Sequence, residues 1–268
     1  MKHFLVSFLL LAAILQSCSG YNKVVRSDDF TRKFEMASSL YEKKQYARSI
    51  PLYEQVYQRM PKTGEGEVSY YRVGKAYFEE ENFIMASYYL STFSEKYPAS
   101  PKCEETAFLA TICAVRNSPN YTLDQNETEL ALNDLQMFIN QYPYSDKIDT
   151  CNVIMDNLRF KLEKKEFEGV KLYSKMENYK AASVSAETFL AGYPQSRYRE
   201  QAGYIMVKNS YFLAINSVES KKMERYEKAI ERYRNFVAEF PSSSYRKEVE
   251  GYFEKLNKGV VNITSSQK

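Results

Sequence analysis

Cysteine and histidine are the side chains of this sequence best suited to covalent or metal chemistry, and they are few. The 268-residue chain has four cysteines and one histidine, His3, in an N-terminal segment that we expect to be removed on export. The remaining chain then has no Ser-His-Asp or Cys-His catalytic set and no imidazole ligand for a metal. The spacings of Cys103, Cys113 and Cys151 match no zinc signature. We therefore expect no enzyme, no metal and no cofactor, and we interpret these three cysteines as small buried residues.

The N-terminal segment has the composition of a secretory signal peptide. Lys2 is followed by twelve mostly apolar residues, 4–15, which are too few to cross a hydrocarbon core of ~30 Å as a helix. Residues 15–18, Leu-Gln-Ser-Cys, resemble the bacterial lipobox. That resemblance implies a diacylglycerol and an N-acyl chain on Cys18, an outer-membrane anchor, and a body in the periplasm. An ordinary signal peptide with an incidental cysteine is the alternative.

A short motif recurs along the chain and marks the ends of the helices that must position any binding residues. Proline follows an aromatic residue or methionine and is followed, two residues later, by serine or threonine. The five prolines are Pro61, Pro98, Pro143, Pro194 and Pro241. Their separation by 37 to 51 residues is typical of repeated helix pairs. Proline disfavours the helical conformation of the residue before it, and the hydroxyl beyond it can cap the next helix.

The stretch before each proline resembles the second helix of a tetratricopeptide repeat. That helix requires aromatic, small and large residues at fixed spacing, as in Phe83, Ala86, Leu90 and Phe93. First helices fit too, and in one of them Gly74 would let the second helix approach closely. We therefore predict an all-α fold, a superhelical solenoid of about five tetratricopeptide helix pairs that share one continuous core.

The predicted organisation has five parts. They are a signal peptide (1–17, removed), a lipid-anchored linker (18–29), an N-terminal array of repeats 1–3 (30–145), a long connecting helix with repeats 4 and 5 (146–257), and a disordered tail (258–268). The connecting helix is expected over Asp149–Lys175, which contains many helix formers and no proline. Repeats 3 and 5 carry about nine extra residues between their helices, around 117–126 and 216–223.

The lipobox, the five repeats and the long helix, taken in order, resemble the BamD family of lipoproteins, which belong to the outer-membrane β-barrel assembly (BAM) machinery. Residues 158–182 look most like the family, and residues 121–135 look like the version in Bacteroidetes-type homologues. The resemblance implies a scaffold whose C-terminal repeats bind the barrel-forming BamA subunit alongside other assembly-complex proteins. It also implies that the N-terminal repeats receive the C-terminal segments of unfolded outer-membrane proteins. The family often has a basic residue where this chain has Val-Ser-Ala at 184–186.

First helices line the concave side of such repeats, and positions offset from the core stripe point into it. This places five residues on a groove for an extended substrate peptide: Phe34, Tyr41, Tyr71, Lys75 and Phe78. Aromatic rings bury a large apolar area at low entropic cost, and lysine can bind a terminal carboxylate. The alternative is that these rings pack against neighbouring helices.

Basic residues near the fifth repeat are candidates for contact with an acidic surface of a partner protein. They are Arg197, Arg199, Arg232, Arg234 and Arg246. Since most charges on helical repeats are simply solvated, residues 219–234 are interpreted first as a solvated helix with ion pairs between residues four apart.

The composition narrows the remaining function classes. A net charge of +3 is too small to favour binding to nucleic acid. The absence of tryptophan, which stacks on sugars, argues against a glycan-binding lipoprotein. The main alternative to barrel assembly is a periplasmic repeat lipoprotein that coordinates peptidoglycan synthesis or cell division.

Overall fold

The structure is a computed structural model that describes residues 20–266, so Cys18 and the predicted signal peptide lie outside the described residues. Its helices are α1 (Phe30–Glu42), α2 (Tyr46–Arg59), α3 (Gly64–Glu79), α4 (Phe83–Ser91), α5 (Phe93–Lys96), α6 (Cys103–Asn117), α7 (Asn126–Gln141), α8 (Ile148–Lys175), α9 (Tyr179–Gly192), α10 (Arg199–Ile215), α11 (Glu219–Glu239) and α12 (Arg246–Ser266). The described residues contain no β-strand. None of their helices has both the length and the apolar content needed to cross a membrane. The predicted all-α class is confirmed.

The chain divides into two units, Met1–Asp156 and Asn157–Lys268, and the division falls within α8. In the first unit, helices α1 to α7 form three successive antiparallel helix pairs, with the last turn of the second pair broken off as α5. In the second unit, α9 packs on the C-terminal part of α8, α10 pairs with α11, and α12 packs on both. These are the five predicted tetratricopeptide pairs with a terminal helix, and the long helix predicted over Asp149–Lys175 is confirmed.

Each repeat buries one phenylalanine or valine five residues before its proline. These residues are Val56, Phe93, Phe138, Phe189 and Phe236, and none is more than 3% exposed. The helices of a pair approach closely at a glycine, as expected, since a Cβ on Gly74 would lie 3.0 Å from the side chain of Leu90. Gly203 has the same role in the fifth repeat, where its Cβ would lie 2.9 Å from Phe236. Phenylalanine therefore fills the repeat core at four of the five positions before the prolines.

The proline motif closes the turn between successive repeats. In the last four copies, the serine amide donates to the carbonyl of the aromatic residue before proline, at 3.0 to 3.2 Å. The serine hydroxyl then accepts from the amide two residues later; for example, Tyr198 donates to Ser196 at 2.9 Å. The serines thus hold the turn that precedes the next helix. In the first copy, Thr63 is itself the N-cap of α3 and accepts from the Gly66 amide.

Two predictions about the second unit were wrong. The tail is not disordered from Lys258, because α12 continues to Ser266. Gly259 allows this, since it lies so close to Tyr226 that a Cβ would be 2.1 Å from the ring, and Val260 packs on the same cluster. The extra residues of repeat 5 form no loop around 216–223, because α11 already begins at Glu219 and absorbs them as helical turns.

Two other segments outside the regular pairs are also ordered by local contacts. Residues 20–25, within the predicted linker, are helical and dock on repeat 1: Val24 is 2% exposed, and the Tyr21 hydroxyl donates to the Arg48 carbonyl at 3.0 Å. The insertion in repeat 3 is a mostly exposed loop, as expected. Its turn is closed by the buried Gln125 amide, which donates to three carbonyls of residues 120–124.

Candidate functional site

Five residues of α1 and α3 form what we call the first-helix surface: Phe34, Tyr41, Tyr71, Lys75 and Phe78. All five are partly exposed, so none is a pure core residue. Phe34 and Tyr41 both pack against Tyr53 of α2, with ring centroids 6.0 and 6.2 Å apart. Phe78 packs edge-on against Phe83 of α4 at 5.6 Å. The alternative interpretation, in which the rings pack on neighbouring helices, therefore holds for one side of each of these three rings.

Arg72 lies beside the first half of this surface, which is formed by Phe34 and Tyr41 of α1. Its Nη1 donates to the Tyr53 hydroxyl at 2.6 Å, and its Nη2 donates to Glu42 at 3.3 Å. The guanidinium carbon lies 5.0 Å from the centre of the Tyr41 ring. Burial, with a further contribution from Tyr46, raises the pKa of Tyr41 to about 12, while Arg72 opposes that rise. Tyr41 is thus a neutral ring at physiological pH, and Arg72 is the cation of this half.

The second half of the surface consists of Tyr71, Lys75 and Phe78 of α3. Two of these residues donate to a carboxylate that the sequence did not indicate. Glu105 of α6 accepts hydrogen bonds from the Tyr71 hydroxyl at 2.8 Å and from Lys75 Nζ at 2.9 Å. Lys102 Nζ lies 5.4 Å from the centre of the Tyr71 ring. Glu105 is 30 residues beyond Lys75, in the next repeat, so no short motif could have indicated it.

The Glu105 carboxylate is held in its ionised form. Partial burial alone would raise its pKa, but the hydrogen bonds from Lys75 and Tyr71 and the charges of Lys75 and Lys102 outweigh burial and lower the pKa. Burial and the Glu105 hydrogen bond raise the pKa of Tyr71, which stays a neutral donor. Tyr71 and Lys75 thus converge on a single carboxylate, that of Glu105 in the next repeat.

None of the three cysteines belongs to the first-helix surface. Cys103, Cys113 and Cys151 are free thiols; the latter two are fully buried, as expected, and Cys103 is half-buried. Burial raises the pKa of the Cys113 thiol to about 12, so it is unreactive as a nucleophile. Within residues 20–266 no cluster of three or more histidine, cysteine, aspartate or glutamate side chains is arranged to hold a metal ion.

The five predicted partner-binding arginines differ in their exposure and in their contacts. Arg199 donates twice to Glu239, at 2.6 and 2.9 Å, and Arg246 donates to a carboxylate four residues later. Both therefore have structural roles, although part of each side chain remains exposed. Arg197 and Arg234 are exposed. Arg197 lies over an aromatic ring of α8, with its guanidinium carbon 4.1 Å from the ring centre.

Arg232 differs from the other four, because it is only 7% exposed. Its Nη1 donates to Ser210 at 2.8 Å and its Nη2 donates to Glu187 at 2.5 Å. The expectation that Arg232 belongs to an open partner-facing surface is therefore wrong. It lines a cleft of about 380 Å³ between α9, α10 and α11, which we call the basic cleft. The basic residues that line the cleft are Lys180, Lys221, Arg225, Lys228 and Arg232.

Sequence reasoning missed the basic cleft although a signal was present. Along α11, Lys221, Arg225, Lys228 and Arg232 are spaced by four, three and four residues, which places them on one face of a helix. The expectation for this segment is a solvated helix whose charges pair with one another, and that expectation does not consider a shared basic face. Two such pairs exist, but they join residues three apart: Lys221 with Glu224, and Lys222 with Glu219.

The stacked helix pairs and the aromatic–proline turns define a class of protein: an all-α repeat protein of the tetratricopeptide type. The family model of YfiO, described as an outer membrane lipoprotein, matches residues 27–183 and 170–262. Because these matches cover most of the chain, the protein belongs to the YfiO family of outer membrane lipoproteins. The predicted BamD-like family is thereby confirmed. No curated protein matches the chain.

Proposed function

We propose that this protein is a non-catalytic scaffold of the β-barrel assembly machinery, of the Bacteroidetes type. In this role it binds a BamA-type barrel subunit and other assembly-complex proteins, and it receives unfolded outer-membrane proteins for folding and insertion. Membership of the outer membrane lipoprotein family is the observation that carries the proposal. The tetratricopeptide pairs, whose function is generally to bind proteins, support it.

The membrane attachment that we propose is lipidation of Cys18 after removal of residues 1–17. A diacylglycerol and an N-acyl chain, such as palmitate, together anchor a protein stably, whereas one chain does not. Residue 20, the first described residue of the docked helix, follows Cys18 by two positions, a span of at most about 7 Å. The first repeat would therefore be held close to the periplasmic surface of the outer membrane.

The first-helix surface is the proposed receptor for the C-terminal segment of a substrate. Its partly exposed rings offer apolar contacts, and Tyr71 and Lys75 already bind a carboxylate, that of Glu105. A peptide's terminal carboxylate has the same chemistry and can take that place. Changing Tyr71 and Phe78 together to alanine should weaken peptide binding while leaving the helical content unchanged.

The second unit is the proposed docking region for the barrel subunit, and its exposed Arg197 and Arg234 are the residues that can meet an acidic partner. Their contribution can be tested by charge reversal, Arg197→Glu with Arg234→Glu. A matched control reverses two exposed charges of the first unit, Lys43→Glu with Lys62→Glu. We expect reduced recovery of the barrel subunit with the first pair and normal recovery with the control pair.

The decisive experiment is affinity purification of the lipidated protein from detergent-solubilised outer membrane, with mass spectrometry of the chains that co-purify. A BamA-type barrel subunit among them supports the proposal. Recovery of peptidoglycan-synthesis or division proteins, with no barrel subunit, would replace it by the alternative role in cell-wall coordination.

A further inference from the structure

We propose that the basic cleft of the second unit is a binding site for a phosphate group. The proposal is independent of the assembly role, because it concerns a small ligand and a different set of residues. The cleft has a volume of about 380 Å³, within the range of small-molecule sites. Five basic side chains line it against two acidic ones, Glu187 and Glu224, which leaves an excess of three positive charges.

Arg232 is the anchor of the proposed site. It is 93% buried, yet its Nε has no hydrogen-bond acceptor within the described part of the chain. Nη1 donates to Ser210 and Nη2 donates to Glu187, so the guanidinium is fixed in orientation while Nε is left without an acceptor. A buried charged donor without an acceptor is costly, and the negative charge of an anion bound in the cleft beside this guanidinium would offset part of that cost.

The basic stripe of α11 points to the same ligand. Like charges three and four residues apart on a helix repel one another. Glu187 relieves this in part, since it lies 2.5 Å from Arg232 and 3.8 Å from Lys228. Glu224 lies 3.4 Å from Lys221, but these two carboxylates still leave three of the five positive charges of the cleft unbalanced. A bound anion would balance the remainder.

A phosphate fits this arrangement better than a carboxylate does. The donors come from two facing helices, α9 and α11, and the four tetrahedral oxygens of a phosphate can accept from both sides, whereas the two oxygens of a carboxylate lie in one plane. A phosphate monoester also carries about −1.5 to −2 charges at neutral pH, closer to the excess of three. Val184 and Leu213 also line the cleft and can contact whatever the phosphate is attached to.

The test is a calorimetric titration of the full chain with inorganic phosphate at low ionic strength. The substitutions Arg225→Gln and Lys228→Gln together should weaken binding at least tenfold. They avoid Arg232, whose replacement could unfold the repeat. The control, Lys222→Gln with Lys258→Gln, removes two charges from the same unit without touching the cleft and should bind normally. Melting followed by circular dichroism checks that both variants are folded.

Three further measurements make the outcome decisive. Glu187→Gln should bind phosphate more tightly, because it removes a competing internal carboxylate. Acetate should bind at least tenfold more weakly than phosphate. Equal loss in the cleft and control variants, or equal affinity for acetate, would overturn the proposal, the first by showing a diffuse charge effect and the second by showing a carboxylate site.

The source of the phosphate is resolved by two additional ligands. Glycerol 3-phosphate represents a soluble monoester, and phosphatidylcholine vesicles with or without phosphatidic acid represent a lipid headgroup. Binding of either that is weakened by Arg225→Gln with Lys228→Gln supports the site and identifies its source. Vesicle binding that the control variant loses equally counts against a site in the cleft.

Discussion

Replacing Glu105 with glutamine should increase the affinity of the first-helix surface for a peptide that ends in a free carboxylate. In the free protein, the Glu105 carboxylate already accepts from Tyr71 and Lys75. A substrate carboxylate must therefore displace a ligand that is covalently part of the chain. Glutamine has nearly the same shape and removes the competing charge, so its amide oxygen holds the two donors more weakly and a charged carboxylate can displace it more easily.

The expected gain in peptide affinity depends on how exposed the Lys75–Glu105 ion pair is. The Lys75 side chain is 25% exposed and that of Glu105 is 45% exposed, so solvent screens their attraction considerably. Exposed ion pairs contribute about 0.2–1 kcal/mol, and hydrogen bonds to charged groups about 1.5–3 kcal/mol when buried. A value near the upper end for exposed pairs, about 1 kcal/mol, corresponds to about a fivefold gain in affinity.

The assay is fluorescence anisotropy with a labelled peptide from the C-terminus of an outer-membrane protein, in a free-acid and an amidated form. The free acid should bind Glu105→Gln about five times more tightly than it binds the natural chain, while the affinity of the amide should stay nearly constant. Glu104→Gln makes the same charge change one residue away and should leave both affinities nearly unaltered. If the amide gained as much as the acid, or if both glutamine variants behaved alike, local competition for the carboxylate position would be refuted.

Three further predictions concern stability, each measured by urea unfolding. Gly66→Ala should destabilise the first unit by about 1–3 kcal/mol, because its Cβ would lie 2.0 Å from the Met60 carbonyl oxygen, whereas Gly64→Ala, which meets nothing within 4 Å, should be neutral or slightly stabilising. Leu135→Ala, at a fully buried position of α7, should cost about 2–5 kcal/mol; a loss below 1 kcal/mol would mean that the site collapses freely. The Glu105 pKa is lowered on folding, so its ion pairing stabilises above the unfolded value of ~4.3 and is lost as pH falls through the folded pKa. The stability difference between the natural chain and Glu105→Gln should therefore shrink as the pH falls below the unfolded pKa of about 4.3, and a difference independent of pH would contradict this linkage.

Much of the fold could be predicted because its signals are local. A proline preceded by an aromatic residue ends a helix and starts a turn within a few residues, as the hydrogen bonds around Ser196 show. The buried phenylalanines and the close approach at Gly74 also follow from spacing within a single repeat. For this reason, the helix pairs, the long α8 and the exposed loop of repeat 3 could be predicted from the sequence.

The tail shows where local signals fail. Residues 258–266 have no apolar periodicity that marks a helix, yet they continue α12. Their stability comes from Tyr226, more than thirty residues earlier, against which Gly259 lies. A small residue at the right place is sufficient for this contact, and it leaves no pattern in the sequence.

The sequence by itself determined the class of fold and the turns that end the second helix of each repeat, because helix periodicity and turn chemistry operate over a few residues. Only the tertiary structure decided which charges are free. Lys75 is paired with Glu105, thirty residues away, and Arg232, predicted on a partner-facing surface, is buried in a cleft with Glu187. The physical reason is that the partner of a long charged side chain is chosen by how helices of successive repeats stack, and stacking brings together residues whose separation in the sequence carries no signal.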